Sequence, residues 1–112
     1  MSDHATFDAL RRVGRRARRG PVTVVYAPAP VDVRVAYSVG KRLGPAVQRN
    51  RVRRRLRAAL REVDTETGGL TPGAYLVMAS PVAAQASYVE LKRAVAAACD
   101  AACHAPARSA GR

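Results

Sequence analysis

Phe7, Leu10 and Val13 recur at helical spacing and run into the arginine-dense residues 14–20, a pattern that predicts a short first helix followed by a basic connector closed by Pro21. Val22 to Tyr26 is a β-branched and aromatic run, residues 27–32 with Pro28 and Pro30 form a turn, and Val33 to Val39 is a second such run. Together these predict a hairpin. On its second strand Val33, Val35, Tyr37 and Val39 share one face; Arg34, Ala36, Ser38 and Gly40 share the other, a flat face of small residues open to a ligand. Gly44 and Pro45 open the longest helical pattern, Ala46 to about Val63. After a loop with Gly68, Gly69, Pro72 and Gly73, residues 74–79 form a short apolar strand. Ser87 and Glu90 then make the capping box of a last helix, whose stripe is Tyr88, Leu91, Val95, Ala98, Cys99 and Ala102. Residues 1–103 are expected to form one domain; residues 104–112 have no periodicity and are expected to be a disordered tail. There is no internal repeat.

The long helix has two unlike sides. At about 100° per residue, Val52, Leu56, Ala59, Leu60 and Val63 fall on one arc of roughly 100°, a core stripe. Asn50, Arg53, Arg54, Arg57 and Arg61 occupy a nearly opposite arc, with Arg51 and Arg55 on its shoulder. Like charges at i, i+3 and i, i+4 repel by about 0.2–0.5 kcal/mol per pair, and only Glu62 offers relief. The fold gains nothing from this arrangement, whereas a polyanionic partner removes its cost. Solvated helix faces normally alternate sign, and this one has no acid between Lys41 and Arg61.

The whole composition sharpens that reading. The chain has 112 residues, 48% hydrophobic but only 4% aromatic, as expected of one small globular domain with an aliphatic core. Its formal net charge of +12 divides unevenly: residues 11–61 carry sixteen bases against the lone Asp32, +15, and the remainder carries −3. Eighteen of the twenty bases are Arg, which suits bidentate phosphate contact. The N-terminus lacks the basic start and apolar run of a signal peptide, and no stretch reaches the ~18 apolar residues of a membrane span. Cys99 and Cys103 are too few for a disulfide framework. The expectation is a cytoplasmic protein with no membrane contact.

Residues 38–57 are specific. Ser38-Val39-Gly40-Lys41-Arg42-Leu43-Gly44-Pro45-Ala46-Val47-Gln48-Arg49-Asn50-Arg51-Val52-Arg53-Arg54-Arg55-Leu56-Arg57 resembles the signature of the bacterial ribonuclease P protein component, with Arg49-Asn50-Arg51 matching that family's Arg-Asn-Arg core. Phe7 followed by bases, the Val24 to Tyr26 strand, Gly73-x-Tyr75-x-Val77, Pro81 and the helix start at Tyr88 to Leu91 follow in the family's order. The resemblance implies an α+β fold, α-β-β-β-α-β-α, as a two-layer sandwich of a central sheet and helices. It also implies a left-handed β-α-β crossover and a shape like the second domain of ribosomal protein S5. It further implies the RNA-binding subunit of an endoribonuclease that removes the 5′ leader from precursor tRNA. In such an enzyme the RNA subunit, with its bound Mg²⁺, is catalytic, one protein is expected per RNA, and the protein aids RNA folding, metal affinity and leader binding.

Carried over by position, Lys41, Arg42, Arg49, Asn50, Arg51, Arg53, Arg54, Arg57 and Arg61 are expected to contact the ribonuclease P RNA. Phe7, Val24 and Tyr26 match cleft positions where aromatic faces stack on unpaired leader bases. Read as residues alone, a Phe on a first helix and a Tyr at a strand end serve equally as core. Arg11 stands where the family usually has a second aromatic, and Gly40 where it usually has Ser before Lys41. The basic lead-in before Phe7 is absent, so either the leader is bound differently or the start of the chain is missing.

The basic half independently lacks the paired carboxylates of a metal-dependent nuclease, and His4 and His104 have no recognisable acid/base partners. No catalytic residue and no protein-bound metal are therefore expected. Cys99, Cys103 and His104 do not complete a tetrahedral zinc set. The rival readings are a ribosomal or general RNA-binding protein, a DNA-binding helix module without the preceding short helix that a helix-turn-helix requires, and a membrane-surface helix without Trp or Phe on its apolar stripe.

Overall fold

A computed structural model describes residues 14–28 and 33–104. The first helix expected around Phe7, the tip of the 27–32 turn and the tail beyond His104 lie outside the described residues. Four strands form one sheet: β1 (Arg15–Arg19), β2 (Val22–Pro28), β3 (Val33–Val39) and β4 (Gly73–Ala79). Helix α1 (Ala46–Glu66) joins β3 to β4, and helix α2 (Tyr88–His104) follows β4. Short 3₁₀ turns, Lys41–Leu43 and Pro81–Gln85, precede the two helices.

The sheet order is β1-β2-β4-β3, which corrects two expectations. The arginine-dense connector is an edge strand: β1 pairs antiparallel with β2, from Arg15↔Tyr26 to Arg19↔Val22. Its alternation is hidden in RRARR because only the small Ala17 is buried and the long arginine stems cover the surface around it. A two-residue turn closes this pair. Gly20, at φ +55°, supplies the positive φ that the first position of a hairpin turn needs, and Pro21 accepts the negative φ of the second.

The expected hairpin of β2 and β3 does not form, because β4 lies between them. β4 pairs antiparallel with β2 (Val22↔Ala79 to Pro28↔Gly73) and parallel with β3 (Val33↔Gly73 to Val39↔Ala79). The reason lies in its composition: Gly73 to Val77 are all buried, so both faces of GAYLVMA seek cover, and only a central position supplies it.

One sheet face carries the main core. Val22, Val24, Tyr26, Tyr75 and Val77 meet Val52, Leu56, Leu60 and Val63 of α1, and Leu91, Val95, Ala98 and Cys99 of α2. The five-residue stripe read from the periodicity of α1 is the buried set of that helix, which runs to Glu66. On the opposite face Val25, Ala74 and Leu76 form a second cluster with Ala27, Ala36 and Met78 packed against it. The small-residue face expected to be open is thus partly an apolar layer of its own.

Local chemistry sets the helix ends. Glu90 N–H donates to Ser87 Oγ at 3.1 Å and Ser87 N–H to Glu90 Oε1 at 2.9 Å, the reciprocal bonds of a capping box. α1 ends where Gly69 N–H reaches the Asp64 carbonyl and Leu70 N–H reaches Asp64 Oδ1, both beyond a left-handed Gly68. α2 continues through His104, one residue past the expected domain end.

Two predictions follow from this core. Gly73 has φ +152°, and a Cβ there would lie 2.5 Å from both the Ala27 carbonyl oxygen and Tyr26 Cε1. Gly73→Ala should therefore cost roughly 1–3 kcal/mol in urea unfolding, and an unchanged midpoint would contradict the close approach. Burial, reinforced by Cys103, pushes the Cys99 thiol up to about 12 from 9.0. Because the folded value is the higher, the unfolded chain ionises first, and stability should fall as pH rises from about 9 toward 12. Cys99→Ala should flatten that fall; an equally steep alkaline loss in the variant would exclude Cys99 as its source.

Candidate nucleic-acid interface

β3 ends at Val39, turns through Lys41–Leu43 and enters α1 within a few residues, so the exposed Lys41 and Arg42 stand just ahead of the first turn of α1. Burial of Val52, Leu56, Ala59, Leu60 and Val63 dictates the rotation of α1, and Arg51, Arg54, Arg57 and Arg61 are consequently exposed. Among the described residues, the ion pairs are Lys92 with Glu62 and Glu66, and His104 with Asp100. None involves an arginine of α1. Lys92 of α2 draws Glu62 and Glu66 away: its ammonium lies 3.1 Å from Glu62 Oε1, and this hydrogen bond holds the Glu62 carboxyl below its usual range.

The arginines are not equivalent. Arg49 Nε donates to the Gly44 carbonyl at 3.1 Å, tying the first turn of α1 to the loop before it. Arg53 donates to Asn50 Oδ1 at 2.8 Å, so the Asn of Arg49-Asn50-Arg51 orients the next arginine along. The Arg57 guanidinium lies over the Tyr37 ring, 5.4 Å from its centroid. Burial raises the Tyr37 hydroxyl above its ordinary range, and Arg57 and Arg61 partly oppose that shift. Arg55, read as a shoulder of the cationic arc, is half-buried and donates to the Ala86 carbonyl at 3.3 Å. It joins α1 to the start of α2. Tyr37 was legible only as a core position; its support of Arg57 depends on α1 lying over β3, which no local pattern contains.

The three cleft candidates are not brought together among the described residues. Phe7 lies outside them. Val24 has no exposed surface and Tyr26 is 2% exposed, both on the helix-covered face. The Tyr26 hydroxyl donates to the Pro72 carbonyl at 2.7 Å, and its ring lies 5.0 Å from that of Tyr75. Both side chains therefore pack in the core of the described residues. Residues of β2 alternate, and the register that seats Val22 in the core seats these two beside it.

Cys99, Cys103, Tyr75, Asp100 and His104 line a cavity of about 230 Å³ at the far end of α2. The Tyr75 hydroxyl donates to the Thr71 carbonyl at 2.6 Å and lies 3.4 Å from Cys103 Sγ. The described residues hold no group of three or more His, Cys, Asp or Glu arranged for a metal ion. No described helix is long and apolar enough to cross a membrane.

The fold and the arginine face define a class: a small basic α+β protein whose longest helix presents arginines without ion pairs among the described residues. Comparison with known proteins narrows this. The chain belongs to the Ribonuclease P protein family, whose sequence model matches residues 1–103. The ribonuclease P protein component of Thermus brockianus is 46% identical over 90 residues, 80% of this chain and 51% of that protein. That of Thermobifida fusca is 41% identical over 101 residues, 81% of this chain and 67% of its own. The chain spans about half the length of the Thermus relatives. The fold is that of the Staphylococcus aureus RNase P protein (TM-score 0.73, 20% identity, 89% of this chain and 91% of that one). It is likewise that of the Thermotoga maritima protein (TM-score 0.67, 15% identity, 85% and 89%).

The unequal arginines make a prediction. Arg55→Ala should lower stability by about 1 kcal/mol, the worth of a net hydrogen bond, and shift heparin elution little. Arg54→Ala, which removes an exposed side chain with no hydrogen-bond or ion-pair partner among the described residues, should leave the melting temperature unchanged and lower the salt needed for elution. The reverse pattern would mean that the two side chains have been assigned the wrong roles.

Proposed function

We propose that this chain is the protein subunit of ribonuclease P, gripping the catalytic RNA and assisting removal of the 5′ leader from precursor tRNA. The observation that carries this reading is the arginine face of α1, which has no ion pair among the described residues and follows Lys41 and Arg42 in the chain, in a member of this family. Lys41, Arg42, Arg49, Asn50, Arg51, Arg53, Arg54, Arg57 and Arg61 form the RNA contact, with Asn50 positioning Arg53 and Tyr37 positioning Arg57. Planar guanidiniums pair bidentately with phosphate, and those of α1 have no carboxylate partner among the described residues.

The chemistry belongs to the RNA subunit and its Mg²⁺. Each arginine placed on a phosphate releases a condensed counterion, so the protein supplies neutralisation that Mg²⁺ otherwise provides and lowers the Mg²⁺ needed for a folded, substrate-bound RNA. One protein serves one RNA, in the cytoplasm where precursor tRNA is made. The leader contact that the family resemblance gives to Phe7, Val24 and Tyr26 is part of this reading, although Val24 and Tyr26 are buried among the described residues.

Reconstitution with a bacterial ribonuclease P RNA at low Mg²⁺ tests the reading. Leader cleavage should be stimulated, and RNA binding without stimulation would make the chain a general RNA-binding protein instead. Replacing Arg53 and Arg57 with Ala should leave the fold intact and reduce the slope of log affinity against log salt by about 1.4–1.8, the loss of two phosphate contacts. An unreduced slope would remove the α1 face as the contact.

A further inference from the structure

A second cationic surface lies at the other edge of the sheet. With α1 over β3 and the order β1-β2-β4-β3, the arginine strand β1 is three strands away, about 14 Å at ordinary strand spacing. That exceeds the Debye length of about 8 Å at physiological salt, so the two sets of charge are largely screened from each other. Arg16, Arg18 and Arg19 are exposed, and among the described residues none of them has an acidic partner.

Beside β1, where the Gly20-Pro21 turn meets α2 and the Pro81–Gln85 turn, is a groove of about 500 Å³. Pro21, Val82, Ala94 and Ala97 give it an apolar lining, beside Arg19 and Arg93. Val82 is 63% exposed, an apolar surface left uncovered by the fold. The groove also has Glu90 on its lining, but that carboxylate is committed to Ser87 N–H in the capping box. An arginine-studded edge strand opposes pairing with a second copy of the chain, which leaves a polyanion with flat apolar parts as the complementary occupant.

We propose that this groove binds single-stranded RNA, with a base on the small-residue lining and flanking phosphates on Arg19 and Arg93, so that the protein bridges two RNA segments. The proposal rests on the RNA-binding reading of the chain but not on α1. Unstacked bases with their phosphates offer a planar apolar face to the small residues and negative charge to Arg19 and Arg93. The small lining residues admit a base of any identity, so the site reads single-strandedness and not sequence.

The test uses the full chain and fluorescein-labelled octauridylate, followed by anisotropy. A chain carrying Arg53→Gln, Arg57→Gln and Arg61→Gln should still bind this probe; adding Arg19→Gln and Arg93→Gln should weaken it and reduce the salt slope by about 1.4, two single-strand contacts. Ala97→Glu, at an exposed helical position, should weaken probe binding several-fold at an unchanged melting temperature. Loss of all probe binding on changing α1 alone, or unaltered binding after the Arg19 and Arg93 changes, overturns the second surface. Cleavage with ribonuclease P RNA separates the two claims: stimulation without a groove effect sinks only the groove, and a groove effect without stimulation sinks only the ribonuclease P assignment.

Discussion

Burial of one stripe of α1 is the constraint on which the remaining architecture depends. Seven arginines on this helix form six pairs at i, i+3 or i, i+4, a repulsion of about 1–3 kcal/mol in total. Val52, Leu56, Leu60 and Val63 are almost wholly removed from water, and at about 1.5–3 kcal/mol each their burial exceeds the repulsion several times over. The core therefore holds the cations together. It also dictates their direction, since rotating the helix to separate them would expose the stripe.

Charge is kept available by what the fold does with its acids. Glu62 and Glu66 lie on the same helix as the arginines, yet Lys92 of α2 draws both to the helix–helix side. The contacts that the arginines do make are chosen for orientation: Gly44 carbonyl for Arg49, Asn50 for Arg53, the Tyr37 ring for Arg57. None neutralises a guanidinium. The cations are thus already placed, and their side chains keep less entropy to lose in a further contact.

The central strand explains why the chain order and the spatial order differ. β4 is far from β2 in sequence, but it is buried on both faces and takes the middle of the sheet, forcing β2 and β3 apart. β1 is thereby left at an edge, where its arginines guard unpaired backbone groups. Val24 and Tyr26 show the same logic at residue scale. Their side of β2 faces the helices, so a β-strand position suited to stacking became a core position.

Periodicity was sufficient for α1, its buried stripe, the capping box of α2 and the apolar character of β4, because each depends on neighbours within a turn or a strand. The +15 half and the Arg49-Asn50-Arg51 signature likewise pointed to an RNA partner from sequence alone. Strand pairing did not follow, since adjacency in a sheet depends on which strand most needs cover, a comparison among segments far apart in the chain. Nor did the division of arginines into free and structural ones. Arg54 and Arg55 are the same residue one step apart, and only the packing of α1 against the start of α2 gives Arg55 the Ala86 carbonyl and leaves Arg54 to the solvent.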